Sequence, residues 1–252
     1  MGVVEIGIVV WIIEKGNSRW KIGVFIDGQI IEVRYLDFGE NISLEHLPEN
    51  KVDNIFLAGS GDWNQEVVEM LSTRTLGSIT ELKHGDPHPL KTEVDNPGSL
   101  GTDRVANAFA IQSAIIKGLE QSKVWMIVDV GTCVTTDVVY DGLHLGGSIS
   151  PGLSMRINAM RDGTASLPSV EKDVWSKLTP FKGETIGKTT EEALIRGAAD
   201  GISAEIIGRW DILNEEFAGK GIVGVILTGG DSSFLELGRV KPKFADSNLT
   251  LK

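Results

Sequence analysis

Two acids and their neighbours set the first question. Asp103 and Arg104 stand together in NPGSLGTDRVANAFA, residues 96–110, and Asp129 stands three residues before Thr132 in IVDVGTCVTTDVVYDG, residues 127–142. A carboxylate at a helix start can accept a hydroxyl proton during phosphoryl transfer. That chemistry is largely dissociative and asks only for a weak, positioned base. Arg104 can fork onto a carboxylate substrate. An acid in a first helical turn also simply complements the helix dipole, so Asp103 has a structural reading beside the chemical one. Asp129 ends an apolar strand, where a carboxylate commonly binds a cation, and Thr132 offers a hydroxyl and N–H to phosphate. Its plainer role is a turn former that bonds its own backbone.

A looser copy of the second stretch lies near the start: IIEKGNSRWKIGVFIDG, residues 12–28. Glu14 aligns with Asp129, Gly16 with Gly131 and Asp27-Gly28 with Asp141-Gly142, with an offset that changes by one residue. The run Glu14, Lys15, Gly16, Asn17, Ser18, Arg19, Trp20 and Lys21 is dense in hydrogen-bond donors. Glycine lets the backbone approach phosphate, and a nest of N–H groups supplies partial positive charge. Two such bends can grip one nucleotide tail from both sides. Arg19 and Lys21 share a strand face by alternation, either solvated or turned to phosphate.

Three further stretches border these. Gly146–Gly152, GGSISPG, reads as a loop beside a ligand or an ordinary strand-to-helix connection. In IGKTTEEALIRG, residues 186–197, Thr189 and Glu192 form a capping box, which leaves the Thr190 hydroxyl available to a ligand. Leu227–Asp231, LTGGD, is a strand, two glycines and a helix start.

The elements that must hold these residues follow from pattern. Val9–Ile13, Trp20–Ile26 and Gln29–Tyr35 read as strands, with Asp27-Gly28 as a tight hairpin. Val124–Val130, Val134–Tyr140 and a short segment after Gly142 repeat the plan. Asn54–Ala58 and Ile79–Leu82 read as strands and Asp62–Leu71 as a helix. A long helix is expected over about Asp103–Leu119, capped by Thr102, with Val105, Ala108, Phe109, Ala114, Ile115 and Leu119 as its apolar stripe. Helices near Leu153–Met160 and Thr190–Gly208 and a strand at Ile222–Leu227 complete the second half. The fold class is therefore α/β: an actin-like, ribonuclease H-like duplicated fold of two similar domains with a cleft between them. The expected boundary is the polar Glu120–Lys123, giving domains 1–122 and 123–252.

Composition narrows the function. The chain has 252 residues, 41% hydrophobic and 23% charged, with a net charge of -11. That charge argues against nucleic acid, which wants a basic stripe. A small anion needs only a few local donors. Cys133 is the one cysteine, which excludes an internal disulfide and fits a reducing compartment; it reads as a small buried hydrophobe rather than a nucleophile. Met1–Ile13 is apolar but carries Glu5 and lacks a basic leader, so it reads as a buried strand of a cytoplasmic protein with no membrane span.

Taken together, EKGNSRWK, GTDR, DVGT, GGSISPG and TGGD, in that order, resemble the type III pantothenate kinases. The resemblance implies ATP-dependent phosphorylation of pantothenate, the first step of coenzyme A synthesis. It implies a homodimer, a divalent cation such as Mg2+ with ATP, and a monovalent cation, K+ or NH4+. By resemblance Asp103 is the catalytic base, and Gly101, Thr102, Asp103 and Arg104 form a substrate-binding segment. Thr190 matches a pantothenate contact, Asp129 the monovalent-cation ligand, Thr132 an ATP contact, and Glu14–Lys21 the first phosphate loop. Two positions depart from the family. Glu14 stands where the family has Asp, pushing the carboxylate out by ~1.3–1.5 Å, and Val94 stands where it commonly has Tyr. Glu14→Asp is expected to raise turnover. The rival readings are another small-molecule kinase of the same fold and a degenerate nucleotide-binding homologue with a regulatory role.

Overall fold

The computed structural model describes residues 7–16, 19–37, 42–47, 51–59, 61–114, 119, 122–171, 174 and 186–252. Backbone contacts divide the chain into two compact units. One comprises Met1–His88, Asn96–Ala106 and Leu251; the other comprises Pro89–Asp95, Asn107–Thr250 and Lys252.

The first unit is built on a five-stranded sheet. Its strands are β1 (Val9–Lys15), β2 (Arg19–Ile26), β3 (Gln29–Asp37), β4 (Asn54–Gly59) and β5 (Ile79–Leu82), in the order β3-β2-β1-β4-β5. The β1–β2 and β2–β3 pairs are antiparallel, and β1–β4 and β4–β5 are parallel. Trp11, Ile13, Ile22, Val24, Leu36, Ile55 and Leu57 alternate inward to form its core. Helix α1 (Gln65–Ser72) contributes Leu71 and starts later than its apolar pattern implies, because Asn64 caps it by accepting from the Glu66 N–H at 2.8 Å.

The second unit repeats the plan. Its strands are β6 (Val124–Val130), β7 (Cys133–Tyr140), β8 (Leu143–Pro151), β9 (Val223–Thr228) and β10 (Lys243–Ala245), in the order β10-β9-β6-β7-β8. Read from the other edge, this is the order of the first sheet, with the same parallel and antiparallel senses. Both hairpin turns carry left-handed backbone at both residues: φ is 50° and 76° at Asp27-Gly28, and 49° and 77° at Asp141-Gly142. Both sheets bulge just before that turn, at Val24/Phe25 and Val138/Val139. The one-residue change in offset has a structural origin. The first ladder closes at Lys15↔Trp20 and the second at Val130↔Val134, so four residues bridge the first bend and three the second. The duplicated α/β plan is that of an actin-like fold.

Helix α2 (Thr102–Gln112), α3 (Leu153–Asp162) and α4 (Thr190–Glu216) complete the elements the site uses. Strands β6 and β9 are buried almost throughout and pack under α4 through Ile195, Ala199, Ile202 and Ile206. Several expectations need correction. Helix α2 ends at Gln112, because Ala114 adopts φ 54°; Val105 and Ala108 are buried as expected and Ala110 and Ile111 join them, whereas Ala114 is exposed. Ile115 lies outside the described residues. Helix α4 runs eight residues beyond Gly208, since the packing of Leu213 and Trp210 against the core outweighs the cost of one helical glycine. GGSISPG is not a loop. Gly146–Pro151 are the second half of β8, pairing with β7 as far as Cys133↔Pro151, and Gly152 caps α3.

A short segment joins the edge of the second sheet at His144. The His144 N–H donates to the Lys91 carbonyl at 3.0 Å, and the Glu93 N–H donates to the His144 carbonyl at 2.9 Å. The buried His144 ring lies 2.8 Å from Asp137 Oδ1 and 2.8 Å from Thr92 Oγ1. Those bonds fasten residues 89–95 to this unit although they sit between two stretches of the other.

Candidate functional site

In the first unit, the bend after β1 is closed by the Gly16 N–H donating to the Arg19 carbonyl at 3.0 Å. A Cβ at Gly16 would sit 2.8 Å from that same oxygen, so the turn requires glycine. Asn17 and Ser18 lie outside the described residues. The cations around the bend are each engaged. Lys21 Nζ lies 3.0 Å from Glu14 Oε2, and both side chains are largely buried. Lys15 Nζ donates to the Asp62 carbonyl at 2.9 Å and sits over the rings of Trp20 and Trp63, 5.9 and 6.0 Å from their centroids. The two indoles meet edge to face at 5.2 Å. The Arg19 guanidinium covers the ring of Tyr35 at 5.2 Å. Trp63 had no signal in sequence beyond its type. It reaches the bend because β4 runs parallel to β1, and Gly59, whose Cβ would be 2.3 Å from the Lys15 carbonyl, lets the two strand ends close up.

The GTDR segment forms the start of α2. The Gly101 carbonyl accepts from the Val105 N–H at 3.0 Å, so Gly101 takes the cap position expected for Thr102, which is the first helical residue. Asp103 is exposed, and its Oδ1 accepts from the Arg104 N–H at 2.9 Å. A Cβ at Gly101 would lie 2.5 Å from that oxygen. Glycine is what leaves room for the carboxylate to fold back over the helix start.

In the second unit, four segments distant in sequence meet at the bend after β6. The Gly131 N–H donates to the Cys133 carbonyl at 2.9 Å. The Gly152 N–H donates to the Thr132 carbonyl at 3.0 Å, and a Cβ at Gly152 would be 2.1 Å from the Gly131 oxygen. From the TGGD segment, the Asp231 N–H donates to the Val130 carbonyl at 2.9 Å. Gly229, at φ 86°, packs so closely that a Cβ there would lie 2.4 Å from Asp129 Oδ1. From α2, Asn107 Nδ2 donates to Asp129 Oδ2 at 3.0 Å. Asp129 and Thr132 are both half-buried, as is Cys133, in place of the buried position its type implies. Asn107 was missed in sequence; its signal is position, one helical turn after Asp103.

Thr190 is the first residue of α4 and is exposed. The Thr189 side chain caps the helix by accepting from the Glu192 N–H at 3.1 Å. The Glu192 carboxylate takes the Lys188 N–H at 2.7 Å rather than that of Thr189, so only half of the expected box forms. Further along the same helix, Arg156 of α3 bridges Glu205 and the Pro151 carbonyl.

A family model described as type III pantothenate kinase matches residues 10–211, a span that holds both bends, GTDR and Thr190. The chain belongs to the type III pantothenate kinase family. A type III pantothenate kinase of Christiangramia forsetii is 30% identical over 245 residues, covering 96% of this chain and 94% of that one. One from Phocaeicola vulgatus is 32% identical over 248 residues, covering 96% and 94%. Among solved structures, component A of (R)-2-hydroxyglutaryl-CoA dehydratase from Acidaminococcus fermentans superposes with a TM-score of 0.50 at 13% identity, covering 97% of this chain and 94% of that chain. This last likeness is one of fold. The TGGD segment at 228–231 lies beyond the residues the family model matches, yet Gly229 and Asp231 are in contact with the second bend.

Proposed function

We propose that this chain transfers the γ-phosphoryl group of ATP to the primary hydroxyl of pantothenate, giving 4′-phosphopantothenate for coenzyme A synthesis. The observation that carries the reading is the convergence of GGSISPG and TGGD, through Gly152, Gly229 and Asp231, on the Asp129–Thr132 bend. Those are the late motifs of the family resemblance, and they close one compact turn on Asp129 and Thr132.

In this reading the bends Glu14–Lys21 and Asp129–Thr132 take the phosphates of ATP through backbone N–H groups and small hydroxyls. Asp103 accepts the proton of the pantothenate hydroxyl, and Arg104 holds the pantothenate carboxylate. Gly101 and Thr102 shape the substrate segment, and Thr190 contributes a hydroxyl. A monovalent cation, K+ or NH4+, fits the donor set at Asp129: a half-buried carboxylate with hard oxygens. Asp129 would hold such a cation, which would supply positive charge to the phosphate site. Mg2+ would be brought by ATP and would offset the charge of its phosphates. Family membership and the exposed apolar side chains Ile149, Met155 and Ile186 in the second unit support a homodimer. No helix among the described residues is long and apolar enough to cross a membrane, and a cytoplasmic enzyme is the reading we adopt.

The test is a coupled ADP-release assay with and without pantothenate, with the product identified by mass. Pantothenate-stimulated ADP release and phosphopantothenate support the proposal. Stimulation by a different alcohol would make the chain another small-molecule kinase. ATP binding with no turnover would make it a nucleotide-binding regulator.

A further inference from the structure

We propose that Asn107 is a positioning residue for the Asp129 carboxylate, acting through its side-chain amide. The inference rests on the reading that Asp129 serves the phosphate-and-cation site.

Asn107 is 1% exposed, among the buried apolar residues Val105, Ala108, Ala110 and Ile111 of α2. Its Nδ2 donates to Asp129 Oδ2 at 3.0 Å, while its own Oδ1 is buried with no hydrogen-bond partner among the described residues. An orphaned buried acceptor lowers stability, and a leucine of similar size would carry none of its own. Packing therefore does not account for an amide at this position; a directed N–H does. The amide orientation is set by the acid, because the reversed amide would place Oδ1 against the carboxylate oxygen.

Asp129 is confined from its other side too. Its Oδ1 occupies the space that a Cβ at Gly229 would need. One oxygen is thus held by α2 and the other lies against the loop after β9, two segments far apart in sequence. The carboxylate plane is fixed before any ligand arrives. Preorganisation of this kind matters at a phosphoryl-transfer site, where a displacement of about 1 Å costs on the order of a hundredfold in rate.

A double-mutant cycle in the full chain tests this, with Asn107→Leu, Asp129→Asn and both together. The readouts are kcat and KM for ATP with pantothenate present, Tm in choline chloride, and the change in Tm when potassium replaces choline. Asn107→Leu is expected to hold Tm in choline at or above the parent. It is expected to lower kcat/KM for ATP by roughly tenfold to a hundredfold and to lose most of any potassium response. In the Asp129→Asn background it should add no further loss. Parental kinetics in Asn107→Leu overturn the proposal, as does a loss that persists in full on top of Asp129→Asn. If Asp129→Asn itself behaves like the parent, the underlying reading of the site fails instead. Asn107→Ala takes the place of the leucine variant if that does not fold. A fall in active fraction that only tracks its lowered Tm also overturns the proposal.

Discussion

Glu14 Oε2 and Lys21 Nζ lie 3.0 Å apart across the β1–β2 ladder, at side-chain exposures of 17% and 10%. The acid that departs from the family pattern is thus matched to a lysine on the facing strand. Glu14→Asp withdraws the carboxylate by ~1.3–1.5 Å, opening the pair and, in the proposed site, freeing the ammonium for phosphate. The expected outcome is higher turnover with a Tm lower by roughly 2–6 °C, read by the coupled assay and by calorimetry. Turnover at or below the parent would show that the longer acid with its lysine is the working arrangement.

Asp103→Asn separates chemistry from folding. Asparagine keeps an Oδ1 to accept the Arg104 N–H, now 2.9 Å from the acid, so Tm should barely move. Loss of a general base costs on the order of 10²–10⁴ in kcat, while ATP affinity stays near the parent value. Isothermal titration with a non-hydrolysable ATP analogue checks the second half. Retained turnover would remove Asp103 from the mechanism.

The glycines divide by what a Cβ would meet. At Gly229, φ is 86° and a Cβ would lie 2.4 Å from both Asp129 Oδ1 and the Val130 carbonyl. Gly229→Ala should cost about 3 kcal/mol and displace the Asp129 carboxylate. A Cβ at Gly208, inside α4, would meet nothing within 4 Å among the described residues beyond its own turn of helix. Gly208→Ala should add about 1 kcal/mol of stability, visible as a Tm higher by roughly 2–4 °C. The two substitutions are chemically identical, so opposite signs in thermal unfolding test the packing directly.

The Glu205 carboxyl titrates below its ordinary value of 4.5. Burial alone would raise it. The hydrogen bonds from Arg156 and Ser150, with the charges of Arg156 and Arg209, together outweigh burial. A carboxyl depressed in the folded state gives stability that is full above its unfolded value and is lost as pH falls through the folded one. Tm should therefore decline below about pH 4.5. Glu205→Gln should lower Tm at neutral pH, and its curve should meet that of the parent at acid pH. Parallel curves across the range would mean that the Arg156–Glu205 pair contributes nothing.

Much of the fold was legible because strand-forming residues and turn chemistry are local. Asp27-Gly28 and Asp141-Gly142 each announce a left-handed two-residue turn, and the backbone angles at both are within a degree of one another. The duplicated acid and glycine at each bend followed from the same pattern, since a strand end and a tight turn are fixed by residues a few positions apart. Element ends were less legible. Asn64 capped α1 late, Ala114 stopped α2 early, and Pro151 closed β8 rather than a loop, because caps and ladder partners decide these limits.

By itself, the sequence determined which residues could do chemistry, the repeated β-β-β plan and the family those motifs resemble. Tertiary structure alone decided that Lys21 answers Glu14, that Trp63 stands beside Lys15, and that Asn107 and Gly229 confine Asp129. Each of those relations joins residues on different elements. It depends on the pairing of strands and the seating of a helix, which no periodicity along the chain encodes.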